Sequence, residues 1–473
     1  MIYRFINTGV PTLGCNLRCE YCYIKQHGDE ERILTIDESK SLFNYSIEHM
    51  LKALTVKRMG GVCNFHFTGE GETLLCPSLV DLMYGLLDVG HYVTLTTNTT
   101  IGYQIDKIIT FPENFRKRMF FKVSFAYREL KQRQMLEIFA QNVQLLKQSG
   151  ISYTIEIVSS DFLLGDIEKI KKFSIEKFGA LPHVLTARNE KTKGDAYPKE
   201  ISCLSEHKYN EIWGSFNSDL FNYQLYANEI AHRGKFCYAG VYTGTLSLQT
   251  GDFYACPNSN KITNLFEDIE KPILFSPIAR SCTLNFCFLG FFIHILAGAE
   301  REIDTNIYFH HFRDRVCSDG STWLTPTMRE AYSHRCSEYH EPYSKEKEEF
   351  FDALMQKVYF DDESKNGSMV NFIKAYCNRK RFEKVAIYGM GKIGAWLLPL
   401  FIKAEVDVSY AIDKRACELN CESGITVRSP DEDFPNVDAI IVSAYSEFTA
   451  IAPLLRKKTN IPIVSIVNFA DRL

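Results

Sequence analysis

The chain has 473 residues, 45% of them hydrophobic and 24% charged, with a formal net charge of −4 at neutral pH. This is ordinary globular composition, enough for about three domains that each bury a core. It excludes a collagenous or disordered chain, and the near-neutral balance leaves no basic footprint for nucleic acid or an anionic membrane surface.

The 15 cysteines are clustered and unevenly spaced. The first residues, Met1-Ile2-Tyr3-Arg4-Phe5-Ile6-Asn7, lack the basic-then-apolar order of a signal peptide. Both features predict reduced, cytoplasmic thiols that serve as metal ligands, not a disulfide framework. The most apolar window, Phe286 to Gly298, is interrupted by His294 and is shorter than the ~20 residues a bilayer span needs. It is predicted to be a buried segment, and no membrane partner is expected.

Tyr3 to Val10 reads as a first strand, and Cys15-Asn16-Leu17-Arg18-Cys19-Glu20-Tyr21-Cys22 follows it as a C-x-x-x-C-x-x-C run. Three thiols this close can converge on one small inorganic centre. A structural zinc site or an ordinary iron–sulfur site takes four protein ligands, so three leave a coordination position open. Closely spaced cysteines also occur in zinc knuckles and reduced cores, and the residues that follow must arbitrate.

Thr35-Ile36-Asp37-Glu38 has the form of a capping box, opening a helix with Leu42, Tyr45, Met50 and Leu54 apolar and Gly60-Gly61 at its end. Strands are then predicted over Asn64 to Phe67, Tyr92 to Thr96, Lys122 to Phe125, Tyr153 to Val158 and Val184 to Ala187. Helices alternate with them: Ser78 to Leu87, about Glu129 to Gln148 with Gly150 as terminator, and a stretch to Phe178 stopped by Gly179. Strands alternating with helices mean βαβ units and a parallel sheet, whose chemistry sits at the carboxyl ends of the strands.

The cysteine spacing, Tyr21 before the last cysteine and the position after strand one resemble the radical S-adenosylmethionine (SAM) enzymes. The resemblance implies a partial (β/α)6 TIM-like barrel in which Cys15, Cys19 and Cys22 hold a catalytic [4Fe–4S] cluster and SAM completes its open iron. Reductive cleavage of SAM then yields a 5'-deoxyadenosyl radical that takes a hydrogen atom from the substrate. Phe67-Thr68-Gly69-Glu70-Gly71-Glu72-Thr73, ending strand two, is similar to the family's G-G-E-P segment. It departs at Glu70 and Thr73, and implies that Gly69, Glu70, Gly71 and Glu72 lie at SAM, with Glu72 favoured as the acceptor of its ammonium. Thr97 and Asn98 resemble the T-N-G segment near SAM, and Ser124 and Glu156 are strand residues within reach of SAM or substrate. Each of these polar residues is equally well read as satisfied within its own loop or strand.

Beyond Arg188, Asn189 to Asp195 reads as a polar loop and Ser205 to Phe221 as a helical bridge. Cys237 leads into a hairpin pattern, Tyr242 to Leu248 and Phe253 to Ala255 with Thr250-Gly251-Asp252 at the turn, and then to Cys256. This resembles the C-x(9–15)-G-x(4)-C signature of SPASM and twitch extensions, which implies an auxiliary [4Fe–4S] cluster on Cys237, Cys256, Cys282 and Cys287. The last two are four residues apart where relatives usually have two. A four-cysteine zinc site is the rival, Cys317 and Cys336 are alternative ligands or buried thiols, and His310 and His311 are ordinary polar residues unless metal recruits them.

Residues 343–365, with Lys345-Glu346-Lys347-Glu348-Glu349, read as a charged helical connector. Lys384 to Tyr388 is then a strand, Gly389-Met390-Gly391-Lys392-Ile393-Gly394 opens a helix to about Ala404, and Val408 to Ile412 is a strand ending at Asp413. With later strands at Ala439 to Ser443 and Ile463 to Ile466, this is the dinucleotide-binding fingerprint, with Gly389, Gly391, Gly394 and Asp413 as its candidate residues. The region resembles small nucleotide-binding domains attached to polysaccharide and sugar-nucleotide tailoring proteins. It predicts a site for a nucleotide, a nucleotide sugar or a partner protein, or a structural role.

The expected architecture is α/β throughout: a radical SAM partial barrel over 1–200, a small cysteine-rich α+β SPASM/twitch-like extension over 201–342, a helical connector over 343–382 and a Rossmann-like parallel sheet over 383–473. The expected activity is that of a radical SAM oxidoreductase tailoring a sugar or a cell-surface polymer precursor. Its partners would be a small-molecule or peptide substrate and a reductase or flavodoxin/ferredoxin-type electron donor. The alternatives are a radical SAM peptide or protein maturase and a non-catalytic zinc-binding scaffold.

Overall fold

Two sheets organise the molecule. A computed structural model describes all residues except 13, 28–41, 190–201, 228–232, 285, 286, 288, 301–306, 420–423 and 471–473. The first sheet has nine strands: β1 (Arg4–Val10), β2 (Cys63–Gly69), β3 (Tyr92–Thr97), β4 (Met119–Ser124), β5 (Ser152–Ser159), β6 (His183–Thr186), β7 (Thr243–Ser247), β8 (Asp252–Tyr254) and β9 (Lys261–Asn264). Their order is β6-β5-β4-β3-β2-β1-β7-β8-β9. From β6 to β7 every pairing is parallel, and the β7–β8–β9 meander is antiparallel. The hairpin of the cysteine-rich region is therefore hydrogen-bonded onto the barrel, β7 pairing with β1 from Phe5↔Thr243 to Gly9↔Ser247.

The strands alternate between two environments, as a period of two requires. Ile6, Phe65, Phe67, Val93, Leu95, Phe121 and Val123 join the apolar core shared with helices such as Leu79–Val89 and Leu136–Gln148. The opposite face carries Asn7, His66, Thr94, Lys122, Thr154 and Glu156 and is covered partly by a buried turn of π-helix, Phe291–Leu296, the segment expected to be buried from its composition. Among the described residues no helix is long and apolar enough to cross a membrane.

Helix boundaries differ from the sequence reading in four places. The helix expected to open at Thr35 is Ile47–Ala53, capped by Ser46, whose hydroxyl accepts from His49 N; it ends at Leu54, ahead of Gly60-Gly61. The Thr35–Glu38 box, like most of the polar loop ending at Asp195, lies outside the described residues. The single helix expected from Glu129 breaks into Tyr127–Gln132 and Leu136–Gln148, because Gln134 takes a positive φ and Met135 N returns to Leu130 O. Positive φ at Asn217 likewise divides the bridge into Glu206–Gly214 and Asp219–Ala227. Gly102–Ile109 is a helix the sequence reading passed over.

Helices Lys345–Phe360 and Asn366–Lys380 connect to the second sheet. That sheet comprises β10 (Lys384–Tyr388), β11 (Asp407–Ile412), β12 (Val427–Arg428), β13 (Ala439–Val442) and β14 (Ile463–Ser465), all parallel, in the order β12-β11-β10-β13-β14. The order reverses beside β10, which makes the carboxyl end of β10 the natural place for a crevice.

Candidate functional site

The cysteine loop and the glycine turn after β2 meet at the carboxyl end of the first sheet. A Cβ on Gly71 would lie 1.9 Å from Gly14 O, and Glu72 N–H donates to the same carbonyl at 2.8 Å. Only a glycine permits that approach, so the turn is docked onto the start of the cysteine loop. Gly69 serves a similar end, since its Cβ would fall 2.6 Å from the Thr12 methyl. A second brace comes from β3: Asn98 donates to Asn16 at 2.8 Å, and Asn16 in turn donates to Thr100 at 2.7 Å. A third is Glu129, which accepts from Arg18 N–H at 2.8 Å.

Cys15, Cys19 and Cys22 are half-buried in this loop. Burial pushes the Cys15 thiol up to about 11 and the Cys19 thiol up to about 12, and in both cases neighbouring thiols of the trio push the same way. Tyr21 hydrogen-bonds Cys19, and its own hydroxyl is held protonated chiefly by burial. Three thiols near enough to repel one another as thiolates are a donor set suited to a cation-rich centre, which relieves that repulsion and displaces their protons. The residues present fit a [4Fe–4S] cluster held from three sides.

Glu72 is buried, and its two oxygens accept from Thr97 Oγ1 (2.5 Å), Leu74 N (3.0 Å) and Asn98 N (2.7 Å). Its carboxylate thus ties the turn to the end of β3. Burial raises its pKa and the three donors oppose that rise. Glu70 is exposed on the same turn. Thr97 and Asn98 are thereby braces between loops, and Ser124 stands half-buried at the end of β4, opposite Glu156.

The second set converges from more distant chain. Cys237, Cys256, Cys282 and Cys287 line one cavity together with His294 and Glu300. Burial holds all four thiols protonated, reaching about 11 for Cys256, and thiol–thiol repulsion adds to it at Cys237, Cys256 and Cys287. Four thiols on one cavity fit a cluster with a closed shell. Cys317 lies elsewhere, its Sγ against Phe178 O, and Cys336 is buried beside Cys63 and Arg4. The His310 and His311 rings lie against each other, tilted by 41° with centroids 3.9 Å apart, and His311 Nδ1 accepts from Tyr308 N. Among the described residues no three His, Cys, Asp or Glu side chains are disposed to hold a single metal ion. The sequence reading missed His294 and Glu300, which the chain brings to the cavity across a turn; the only signal was a lone histidine in an apolar window.

In the second sheet, a Cβ on Gly394 would strike Gly389 O at 1.8 Å, so this glycine lets the helix Lys392–Lys403 pack against the end of β10. Gly389 itself has φ +89°. Gly391 differs: its φ is ordinary, no described residue lies within 4 Å of a Cβ placed there, and it faces a cavity of about 270 Å³. Lys392, Ser443 and Tyr445 line that cavity from one side, Lys261 and Tyr359 from the other. Asp413 turns its carboxylate back onto the glycine turn, accepting from Met390 N at 2.7 Å and Arg415 N at 2.9 Å. It braces that turn, where the fingerprint expects it to reach a ribose.

Residues 10–173 match the model of the Radical SAM superfamily. No curated protein matches the sequence significantly. Among solved structures, Streptococcus suis SuiB bound to S-adenosylmethionine aligns at 15% identity over 56% of this chain and 64% of that one, with a TM-score of 0.37. Native anSMEcpe with bound AdoMet aligns at 15% identity over 57% and 80%, with a TM-score of 0.36. BtrN in complex with AdoMet and 2-DOIA aligns at 12% identity over 59% and 78%, with a TM-score of 0.22. The aligned part thus spans less than two thirds of SuiB.

Proposed function

From the premise that this chain is a radical SAM superfamily enzyme through residues 10–173, we propose that Cys15, Cys19 and Cys22 ligate its catalytic cluster and that SAM lies over the Gly69–Glu72 turn. When bound, the cluster and SAM supply an electron and a 5'-deoxyadenosyl group that removes a hydrogen atom from the substrate. The chain's own part is placement. Asn98, just past β3, and Glu129, on the helix after β4, hold the loop through Asn16 and Arg18, Glu72 ties the turn to Asn98, and the Gly71–Gly14 contact fixes the turn against the loop. That contact carries the proposal, because it joins the two motifs at one end of the sheet.

Cys237, Cys256, Cys282 and Cys287 are read as ligands of an auxiliary [4Fe–4S] cluster in a SPASM/twitch-like region over 201–342. Residues 383–473 are read as a Rossmann-like recognition domain joined to the barrel (1–200) by the connector 343–382. The open face of Gly391 supports a nucleotide-like ligand there, which favours a sugar or cell-surface polymer precursor as substrate. A cytoplasmic reductase or flavodoxin-type donor would deliver the electron.

The test is anaerobic reconstitution of the full chain with iron and sulfide, followed by reduction in the presence of SAM. A brown protein releasing methionine and 5'-deoxyadenosine is expected. A protein that takes up zinc in preference to iron and leaves SAM intact would refute the assignment.

A further inference from the structure

The inner face of the first sheet holds charges that the cluster and SAM sites leave unused. Lys122 on β4 and Glu156 on β5 share that face through the register pairs Lys122↔Thr154 and Ser124↔Glu156, and His66 on β2 stands opposite Asn7 on β1. Phe292 joins the two groups: its ring stacks on His66 with centroids 4.5 Å apart and lies 5.0 Å from Lys122 Nζ.

Among the described residues the charges in this layer do not balance. Glu156 accepts a close hydrogen bond from Arg313 through one oxygen, and Lys122 Nζ lies 3.6 Å from the other. The Arg313, Glu156 and Lys122 side chains are 2%, 5% and 13% exposed, so two cations share one carboxylate in the interior. Burial lowers the Lys122 ammonium to about 8 and Arg313 adds to that effect, while Glu156 opposes it. His66 is no counter-ion, since burial and the same two cations keep it neutral. Two buried cations with one carboxylate between them are only partly compensated, which costs stability. Natural proteins retain such an arrangement where it is used.

Hydrogen bonding is incomplete in the same place. His66 Nε2 pairs with Thr96 Oγ1 at 2.8 Å, but among the described residues His66 Nδ1 has no partner, although the residue is 3% exposed. Asn7 Oδ1 and Thr245 Oγ1 are also buried without a partner among the described residues, and the register sets Asn7 beside both His66 and Thr245. Each such atom costs stability when nothing satisfies it. A surplus cation and three unsatisfied polar atoms on adjoining strands form a polar floor inside the barrel.

We propose that this floor recognises the substrate, which carries an oxyanion (carboxylate or phosphate) that pairs with Lys122, while neighbouring hydroxyl or amide groups bond to His66, Asn7 and Thr245. The proposal rests on reading the barrel as the reaction chamber. It assigns to the substrate the second negative charge that one carboxylate shared by Arg313 and Lys122 leaves wanting.

The test titrates the full chain calorimetrically with sodium acetate and, separately, with inorganic phosphate, with sodium chloride at matched ionic strength as blank. Saturable binding of either probe is expected, and the tighter one names the oxyanion. Lys122→Met should weaken it about tenfold or more, and Lys122→Arg should keep most of it, as loss and retention of a charge-assisted hydrogen bond predict. Thermal melting gives the second readout. Lys122→Met leaves Arg313 and Glu156 balanced one to one, so its Tm should equal or exceed that of the unaltered chain. A lower Tm rescued by Lys122→Arg would make Lys122 a structural partner of Glu156 and overturn the proposal. So would the absence of binding by both probes, or equal binding by Lys122→Met. Failure of the unaltered, reconstituted chain to release 5'-deoxyadenosine would instead refute the radical reading, a result independent of the titration.

Discussion

Cys15, Cys19 and Cys22 come from one loop of eight residues, whereas Cys237 and Cys256 flank a hairpin and Cys282 and Cys287 follow β9, all four meeting at one cavity. The short loop depends on its neighbours for rigidity, and it has them: Gly71, Asn98 and Glu129 hold it from three directions. The distant set is held by the fold itself, around one cavity. A three-thiol centre braced from outside is suited to exchange a ligand at its open position. A four-thiol centre closed by its own chain is suited to stay as it is.

The largest expected effect falls on the first set. Cys19→Ala should abolish 5'-deoxyadenosine formation in the reconstituted enzyme, because two thiols do not hold a site-differentiated cluster. Formation persisting at a measurable rate would erase the distinction between the two sites. Gly71→Ala should come next. Its methyl group cannot coexist with Gly14 O at 1.9 Å, so the turn must back away from the cysteine loop, at a cost of about 2 kcal/mol or more by analogy with other overpacked sites. SAM affinity should fall about tenfold or more with that displacement, measured by equilibrium dialysis.

Cys256→Ala should act differently. The iron content should fall by the share of one cluster, while SAM cleavage uncoupled from substrate persists within a few-fold. Iron analysis paired with a 5'-deoxyadenosine assay checks both, and loss of all iron would mean that the two cysteine sets depend on each other for folding.

Acid offers another way to separate the regions. His91 is buried; its Nε2–H donates to Leu54 O at 2.7 Å and its Nδ1 accepts from Cys63 N at 3.0 Å, so it serves as a neutral imidazole at the start of β2. Burial lowers it to about 4. Between the ordinary histidine pKa of 6.5 and that value, the unfolded chain binds a proton that the folded chain refuses, so stability falls as pH drops through this window. The loss is on the order of 3 kcal/mol at the acid end. Urea melts at stepped pH should show it, and His91→Asn should be less stable at neutral pH but flatter with acid.

What was legible in the sequence follows the same division. The parallel strands, the cysteine loop and the glycine turn were readable because each is set by local chemistry: a period of two, a thiol spacing, a glycine where backbone must approach. The helix breaks at Gln134 and Asn217 were not, since positive φ at a residue other than glycine is imposed by packing. The pairing of β7 with β1, the inward turn of Glu72, the return of Asp413 onto Met390 and the arrival of Arg313 at Glu156 all depend on residues remote in the chain. The tertiary fold decides where those side chains point.

Gly391→Ala has the smallest expected effect on the fold and sharpens the comparison at the far end of the chain. Gly394 is required by the protein, because its Cβ would overlap Gly389 O. Gly391 is required neither by its backbone angles nor by any neighbour. If its glycine identity serves only the chain, Gly391→Ala should be neutral or slightly stabilising, through reduced freedom of the unfolded state, by about 0.4–1 kcal/mol. If it serves a ligand in the 270 Å³ cavity, the variant should keep its Tm and its SAM cleavage yet lose affinity for a nucleotide probe such as UDP, followed by isothermal titration. The cavity's second wall comes from Lys261 on β9, a few residues past Cys256. Occupancy of the tail should therefore be felt at the four-thiol centre and not at the three-thiol one, and the iron–sulfur absorption of Cys19→Ala, which retains only the former, is where that response should appear.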